Sequence, residues 1–475
     1  MATEGNRKTK IVCTIGPASE SPEKMEALIR AGMDVARLNF SHGTQEEHLR
    51  KIKTIRQIAG RLEKPVSILQ DLSGPKIRVG KVKEGGVELK KGEKFFLTNR
   101  EMIGDERGVS VNYATLPGEV RPGDSILLAD GTIELRVLES NGQNVQCRII
   151  VGGVLTSQKG VNFPTRSILA SAFTDKDHQD LLFGIRHGID LIALSYVKGA
   201  GDIESVRTIL KKESADIPII AKVERKEALD HMDEILRASD GIMVARGDLG
   251  VETPLEKIPN VQKTLIRKAN ALGKPVITAT QMLRSMVDHT QPTRAEVTDV
   301  VNAIYDGTDA VMLSEETASG QFPVEAAQMM AKIAQSAEEE FPFDQFLRRE
   351  IEEEMDLPRA ISHAASSLAK EVKAAAIVTP TESGSTSQWV SRLRPRQPIL
   401  ALSRHLSTIK RLNLCWGVYP VLVPDWKDTD DMLERAKRIP KELGIAKAGD
   451  RIVIIAGVPI SIPGTTNLIK VETVE

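Results

Sequence analysis

The chain is poor in the residue types that mark several functional classes. Only three of its 475 residues are cysteines (Cys13, Cys147 and Cys415), and none has CxxC spacing, so neither a disulfide framework nor a structural zinc site is indicated. Aromatic residues make up 4%, too few for a base-stacking platform. Neither sign of charge predominates. The 64 lysines and arginines against 65 aspartates and glutamates leave a net charge of -1, which argues against a dedicated nucleic-acid binder and against a polybasic membrane protein. No apolar run approaches the length that crosses a bilayer, and the opening MATEGNRKTK has no signal-peptide core. What is present, 41% hydrophobic and 27% charged residues over a length that calls for several domains, fits an enzyme of the cytoplasm.

Hydrophobic periodicity gives the architecture. Short apolar runs at 10–16, 35–40 and 66–71 read as buried strands, with helical patterns at 23–31 and 46–62 between them. The rhythm then breaks. From about residue 75 to 170, turn pairs such as Gly85-Gly86, Asp130-Gly131 and Asn141-Gly142 separate short alternating runs, which predicts an inserted antiparallel β module. The strand–helix alternation resumes with runs at 191–197, 217–223, 241–245, 275–279 and 309–313. Three strands before the insertion and five after it make the eight of a (β/α)₈ barrel; the rival open sheet lacks a GxGxxG after its first strand. Strand runs at 375–379, 398–403, 418–423 and 451–456, with an edge run at 467–471, form a further α/β domain. The expected division is barrel at 1–74 and 171–340, an inserted small β-barrel domain at 75–170, and a C-terminal α/β regulatory domain at 341–475.

In such a barrel the strand ends converge on one mouth. The second strand ends in Arg37, Asn39 and Ser41, and the third in Asp71 with Arg78 beyond. The fifth ends in Lys222 and Glu224, the sixth in Arg246-Gly247-Asp248, the seventh in Thr280-Gln281 and the eighth in Ser314 and Glu316. Arg37, Arg78, Lys222 and Arg246 suit a phosphorylated anion. Glu224 and Asp248, on adjacent strands and with no histidine or cysteine ligand beside them, suit Mg²⁺ completed by water and substrate. The plainer alternatives are structural ion pairs for the cations and helix caps for Asp248, Ser314 and Glu316. His42, without a metal-spaced partner, reads as structural.

The strings ARLNFSHGT (36–44), DLSGPKIR (71–78), KGVNFP (159–164), IIAKVE (219–224), IMVARGDLGVE (242–252), TATQML (278–283) and MLSEETA (312–318), in order along essentially the whole chain, resemble the pyruvate kinase family. That resemblance implies phosphoryl transfer from phosphoenolpyruvate to ADP, giving ATP and, after enolate protonation, pyruvate. It implies Glu224 and Asp248 as ligands of Mg²⁺ or Mn²⁺, and Lys222 and Arg37 at the transferring phosphoryl group. The Ala245, Arg246, Gly247 and Asp248 backbone, with Thr280 and Ser314, would seat the substrate, Thr280 lying on the proton route. Asn39, Arg78 and Lys159 would contact the nucleotide, Lys159 from a β module that closes as a lid. A homotetramer is the assembly it implies.

Two departures stand out. Many members bind K⁺ with an Asn, a Ser and an Asp-Thr pair, and carry Glu where this chain has Lys76. Here Asn39, Ser41 and Asp71 remain, but Leu72 replaces the Thr, so the Lys76 ammonium is expected to supply the charge that K⁺ gives elsewhere. Arg284 and Glu315 replace a common Glu and Gly, for which the sequence offers no reason. In the third domain Thr381, Ser383, Gly384, Ser385 and Thr386 resemble the family's phosphate-holding effector loop, with Gly464 in the flanking loop, which implies a phosphorylated allosteric effector. Two other functions fit less well. A Mg²⁺-dependent barrel aldolase would not need Lys159 over a nucleotide, and a silent scaffold should have lost a charge from Arg37, Lys222, Glu224 and Asp248.

Overall fold

The computed structural model describes residues 7–166, 171–347, 356–459 and 465–475. Eight parallel strands close into a barrel: β1 (Lys10–Thr14), β2 (Val35–Asn39), β3 (Ser67–Asp71), β4 (Leu191–Leu194), β5 (Ile219–Val223), β6 (Gly241–Ala245), β7 (Val276–Ala279) and β8 (Ala310–Leu313). Each pairs with its sequence neighbours, and β1 closes the ring on β8. The strands are buried on both faces, which explains their near-continuous apolar runs. Alternate residues divide two cores. Val12, Val35, Leu69, Ile220, Met243 and Ile277 fill the barrel interior, while Ile11, Leu38, Ile68, Ala221 and Ile242 meet the outer helices.

Local signals set the helix starts. Thr44 with Glu47, Thr174 with Asp177 and Thr293 with Glu296 each form a reciprocal capping box. Gly32 and Gly307, both left-handed, end the helices Pro22–Ala31 and Arg294–Asp306.

The chain leaves the barrel after β3 to build a small sheet domain. Its six-stranded sheet runs in the order Val161–Asn162, Ser125–Leu128, Ile133–Ser140, Asn144–Val151, Lys94–Thr98, Gly108–Ser110, with a separate ribbon of Val87–Leu89 and Gly153–Leu155. The sequence predicts an antiparallel module. The structure differs in one pair, Lys94–Thr98 with Gly108–Ser110, which runs parallel, and the hydrogen-bonded order is open rather than a ring. Isolated bridges such as Arg78 to Gly160 and Val79 to Val111 join the walls around one apolar core.

The C-terminal domain is a five-stranded sheet in the order Val418–Leu422, Ile399–Ser403, Ala376–Pro380, Arg451–Gly457, Thr466–Thr473, parallel except for the last edge strand. It docks on the N-terminal end of the barrel strands, where Arg394 reaches Asp309 immediately before β8. All three cysteines are buried, and burial pushes the thiols of Cys147 and Cys415 up to about 12. Among the described residues no helix is long and apolar enough to cross a membrane.

Candidate active site

At the C-terminal ends of the strands one carboxylate organises two cations. Asp71, the last residue of β3, is 1% exposed. Its Oδ2 accepts from Arg37 Nε on β2 at 2.6 Å, and its Oδ1 accepts from Lys222 Nζ on β5 at 3.1 Å. Arg37 also donates to Thr14 Oγ1 at the end of β1, at 2.9 Å. Burial alone would push the Asp71 carboxyl up, but Lys222 and Arg37 outweigh it and hold it below its ordinary range.

Lys222 is held at three points. Besides Asp71, its Nζ lies 2.8 Å from Glu224 Oε1 and donates to Ser195 Oγ at 2.7 Å. Burial opposes its charge, but Asp71 and Glu224 together keep the ammonium protonated well above the lysine norm. Lys222 and Glu224 follow the two-residue period of β5, so both side chains face inward with Ile220.

Glu224 is buried and Asp248 is exposed at the mouth. Neither is a helix cap. The helix after Glu224, Lys226–Asp230, has Arg225 at its N-cap, and the helix that contains Asp248, Arg246–Glu252, has Ala245 there, both without a side-chain capping bond. Burial pushes the Glu224 carboxyl up, Lys222 pulls it down, and the Asp248 charge pushes it up again. Carboxylate oxygens of this kind suit a hard divalent ion completed by water and substrate. Among the described residues no group of three or more His, Cys, Asp and Glu could hold a metal.

Left-handed backbone also occurs at this rim. Thr280 and Gln281 have φ of 74° and 55°. Thr280 Oγ1 accepts the Gly247 N–H at 3.1 Å, and a Cβ on residue 247 would lie 3.0 Å from Thr280 Cγ2, so only glycine permits this approach without displacement. Tyr196, with φ of 57°, turns its N–H onto Glu224 Oε2 at 2.8 Å. Ser195 and Tyr196 contact Lys222 and Glu224 and are not singled out from the sequence, although the end of β4 is a mouth position by the same rule that selects the others.

Arg246 does not join the anion-binding cations. Its guanidinium turns away to Asp299 Oδ1 at 2.8 Å and Thr280 O at 2.8 Å, so the plainer reading as a structural ion pair holds for the side chain. The loop after β7 needed a brace, and a cation with several donors provides it. Glu316 is likewise structural: its carboxylate accepts the backbone N–H of Leu283 and Ser314. Ser314 offers no capping bond. Arg284 and Glu315 explain each other, since they form an ion pair of 2.9 Å between the loops after β7 and β8.

The remaining predicted residues surround this centre. Asn39 Oδ1 accepts the Ser41 N–H at 3.1 Å, and the Leu72 side chain is sunk in the apolar core. Burial, then the neighbouring Lys222, lowers the proton affinity of Lys76, while Asp71 and Glu224 act in the other direction. Arg78 donates to Gln158 O at 3.0 Å on the lid, and Lys159 is exposed. In the third domain Gly384 has φ of 90°, its N–H donates to Thr381 Oγ1, and Ser383 bonds Ser385. Thr386 shares a hydrogen bond with Thr466. Gly464 lies outside the described residues.

Comparison with known proteins agrees with this geometry. The pyruvate kinase barrel domain profile matches residues 6–327, and the pyruvate kinase alpha/beta domain profile matches residues 359–472. The chain is 48% identical to the pyruvate kinase of Geobacillus stearothermophilus over 472 residues, covering 98% of this chain and 80% of that protein. It is 43% identical to the Clostridium acetobutylicum pyruvate kinase, covering 99% of this chain and all of that one. The crystal structure of a Cryptosporidium parvum pyruvate kinase superposes with a TM-score of 0.93 at 36% identity, covering 99% of this chain and 97% of that one. With two domain profiles and full-length relatives in agreement, the chain belongs to the pyruvate kinase family, enzymes that transfer a phosphoryl group.

Proposed function

We propose that the barrel mouth transfers the phosphoryl group of phosphoenolpyruvate to ADP and then protonates the enolate to pyruvate. The observation that carries this reading is the three-point seating of Lys222, which fixes a buried positive charge beside Glu224 and within one carboxylate of Arg37. Preorganised charge is what phosphoryl transfer asks of a protein, since little covalent chemistry falls to the side chains. Lys222 and Arg37 hold the phosphoryl group from two sides, and Asp71 fixes both cations. The Ala245–Asp248 backbone and Thr280 seat the carboxylate. Thr280 already accepts one N–H, so its own hydroxyl proton is available toward a water that serves the methylene carbon. Mg²⁺ or Mn²⁺ at Glu224 and Asp248, when bound, neutralises charge on substrate oxygens. Asn39, Arg78 and Lys159 contact the nucleotide.

In this reading Lys76 replaces a monovalent cation. Its charge is opposed by burial and then by Lys222 in the free site, and a substrate anion would favour it. The direct test is pyruvate formation from phosphoenolpyruvate and ADP with Mg²⁺, read through lactate dehydrogenase, with and without KCl. Full activity in K⁺-free buffer is expected; a large rise on adding KCl removes the Lys76 role, and no ADP-dependent pyruvate removes the whole reading. The loop at 381–386 supports a phosphorylated allosteric effector, and titration with sugar phosphates and AMP at subsaturating phosphoenolpyruvate checks it, flat responses ruling it out. Cytoplasmic location and a homotetramer built through barrel and C-terminal domains belong to the same family reading, and light scattering measures the assembly.

A further inference from the structure

Two consecutive residues hold Thr280 at both ends. The Gly247 N–H donates to Thr280 Oγ1 at 3.1 Å, and Arg246 Nη2 donates to the Thr280 carbonyl at 2.8 Å. The rest of the guanidinium is engaged as well. Nε donates to Ala279 O at 3.3 Å, Nη1 to Asp299 Oδ1 at 2.8 Å and to Gln262 Oε1 at 3.3 Å, and Nη2 also to the Met282 sulfur. Every N–H of the fork thus has an acceptor. Three of those acceptors belong to the loop after β7, where Thr280 and Gln281 have φ of 74° and 55°. A left-handed backbone is unfavourable for a β-branched residue and persists only where the surrounding contacts outweigh it. The remaining two acceptors anchor the fork itself: Gln262 stands in the helix Ile258–Ala271 and Asp299 in the helix Arg294–Asp306.

We infer that Arg246 and Asp299 are positioning residues for the proton step: they keep Thr280 left-handed, with its hydroxyl presented to the carbon that receives the proton. The inference rests on the reading that puts Thr280 on the proton route. Phosphoryl transfer in the same reading draws on Lys222, Arg37 and Asp71, which are held by one another and by Thr14, Ser195 and Glu224. Loss of the Arg246 fork therefore acts on one half of the reaction more than on the other. Lysine in its place keeps the charge, but one nitrogen cannot bridge the carbonyls of Ala279 and Thr280 and the Asp299 carboxylate together.

The two halves can be read separately in the full-length protein with Mg²⁺. ATP formed in one rapidly quenched turnover of phosphoenolpyruvate and ADP reports the transfer. Loss of the pyruvate methyl proton resonance in D₂O with ATP reports the proton step, since each exchange breaks a methyl C–H bond to the enolate and re-forms it with deuterium from solvent. Arg246→Lys is expected to slow the exchange about tenfold or more while first-turnover ATP changes little. Asp299→Asn, which keeps an acceptor but removes its charge, should act in the same direction by less. Thr280→Ala should slow the exchange by itself, and R246K/T280A should exchange no more slowly than T280A, because Arg246 acts through Thr280. Transfer and exchange falling together in both R246K and D299N, or losses that add in the double variant, overturn the positioning role. Undiminished exchange in T280A overturns instead the proton route through Thr280.

Discussion

Lys222→Met is expected to lower kcat by about 10²–10³, with kcat/KM for phosphoenolpyruvate falling in proportion. In the proposed reaction the ammonium sits where charge develops during transfer, and its position is over-determined by Asp71, Glu224 and Ser195. No mobile cation can reproduce that point charge without reorganisation. Lys222→Arg should be nearly as damaging, because a planar guanidinium cannot meet three acceptors converging on one nitrogen. Methionine also leaves Glu224 buried without its cation, so the carboxyl, already raised by burial and by Asp248, takes up a proton more readily. The apparent affinity for Mg²⁺ should then weaken, most strongly as pH falls through the raised value. Steady-state kinetics with a Mg²⁺ titration at two pH values tests both parts. A methionine variant within tenfold of the parent kcat would remove Lys222 from the chemistry.

The largest stability effect is expected far from the mouth. Arg394 is 1% exposed and donates to both oxygens of Asp309, at 3.0 and 2.9 Å, and to Gly307 O at 2.6 Å. Asp309 in turn accepts the N–H groups of Trp416 and Val276. One ion pair thus fastens the C-terminal domain to the start of β8. Arg394→Met strands a buried carboxylate and should cost about 3–5 kcal/mol. Asp309→Asn on the same background should return part of that loss, because the charge left behind is gone. Urea unfolding measures both; a loss below about 1 kcal/mol for the single variant would contradict a shared, dehydrated pair. Separate unfolding of the C-terminal domain is the expected signature, since this buried pair is one of the contacts, with Asn413 to Asp34 O and Lys410 to Asp190, that join it to the barrel.

Much of this organisation is written locally in the chain. The eight barrel strands stand out because a strand buried on both faces is a compact apolar run, and the capping boxes at Thr44, Thr174 and Thr293 mark where helices must begin. The mouth residues follow from strand ends alone. What local sequence cannot carry is partnership over distance. Nothing around Arg246 announces Asp299, 53 residues on, which turns it from substrate to scaffold. Arg284 and Glu315 look unexplained singly and are explained only as a pair. The parallel pairing in the lid escapes for the same reason, because turn residues report a reversal and not which strand is met after it.

The burial of Cys13, Cys147 and Cys415 has a practical consequence. With all three native thiols buried, a cysteine engineered on the sheet domain and another on the rim would be the reactive sites of the folded protein. Maleimide dyes or spin labels could then be attached without first stripping the chain of its own thiols, and the swing of the sheet domain could be followed as a distance during turnover.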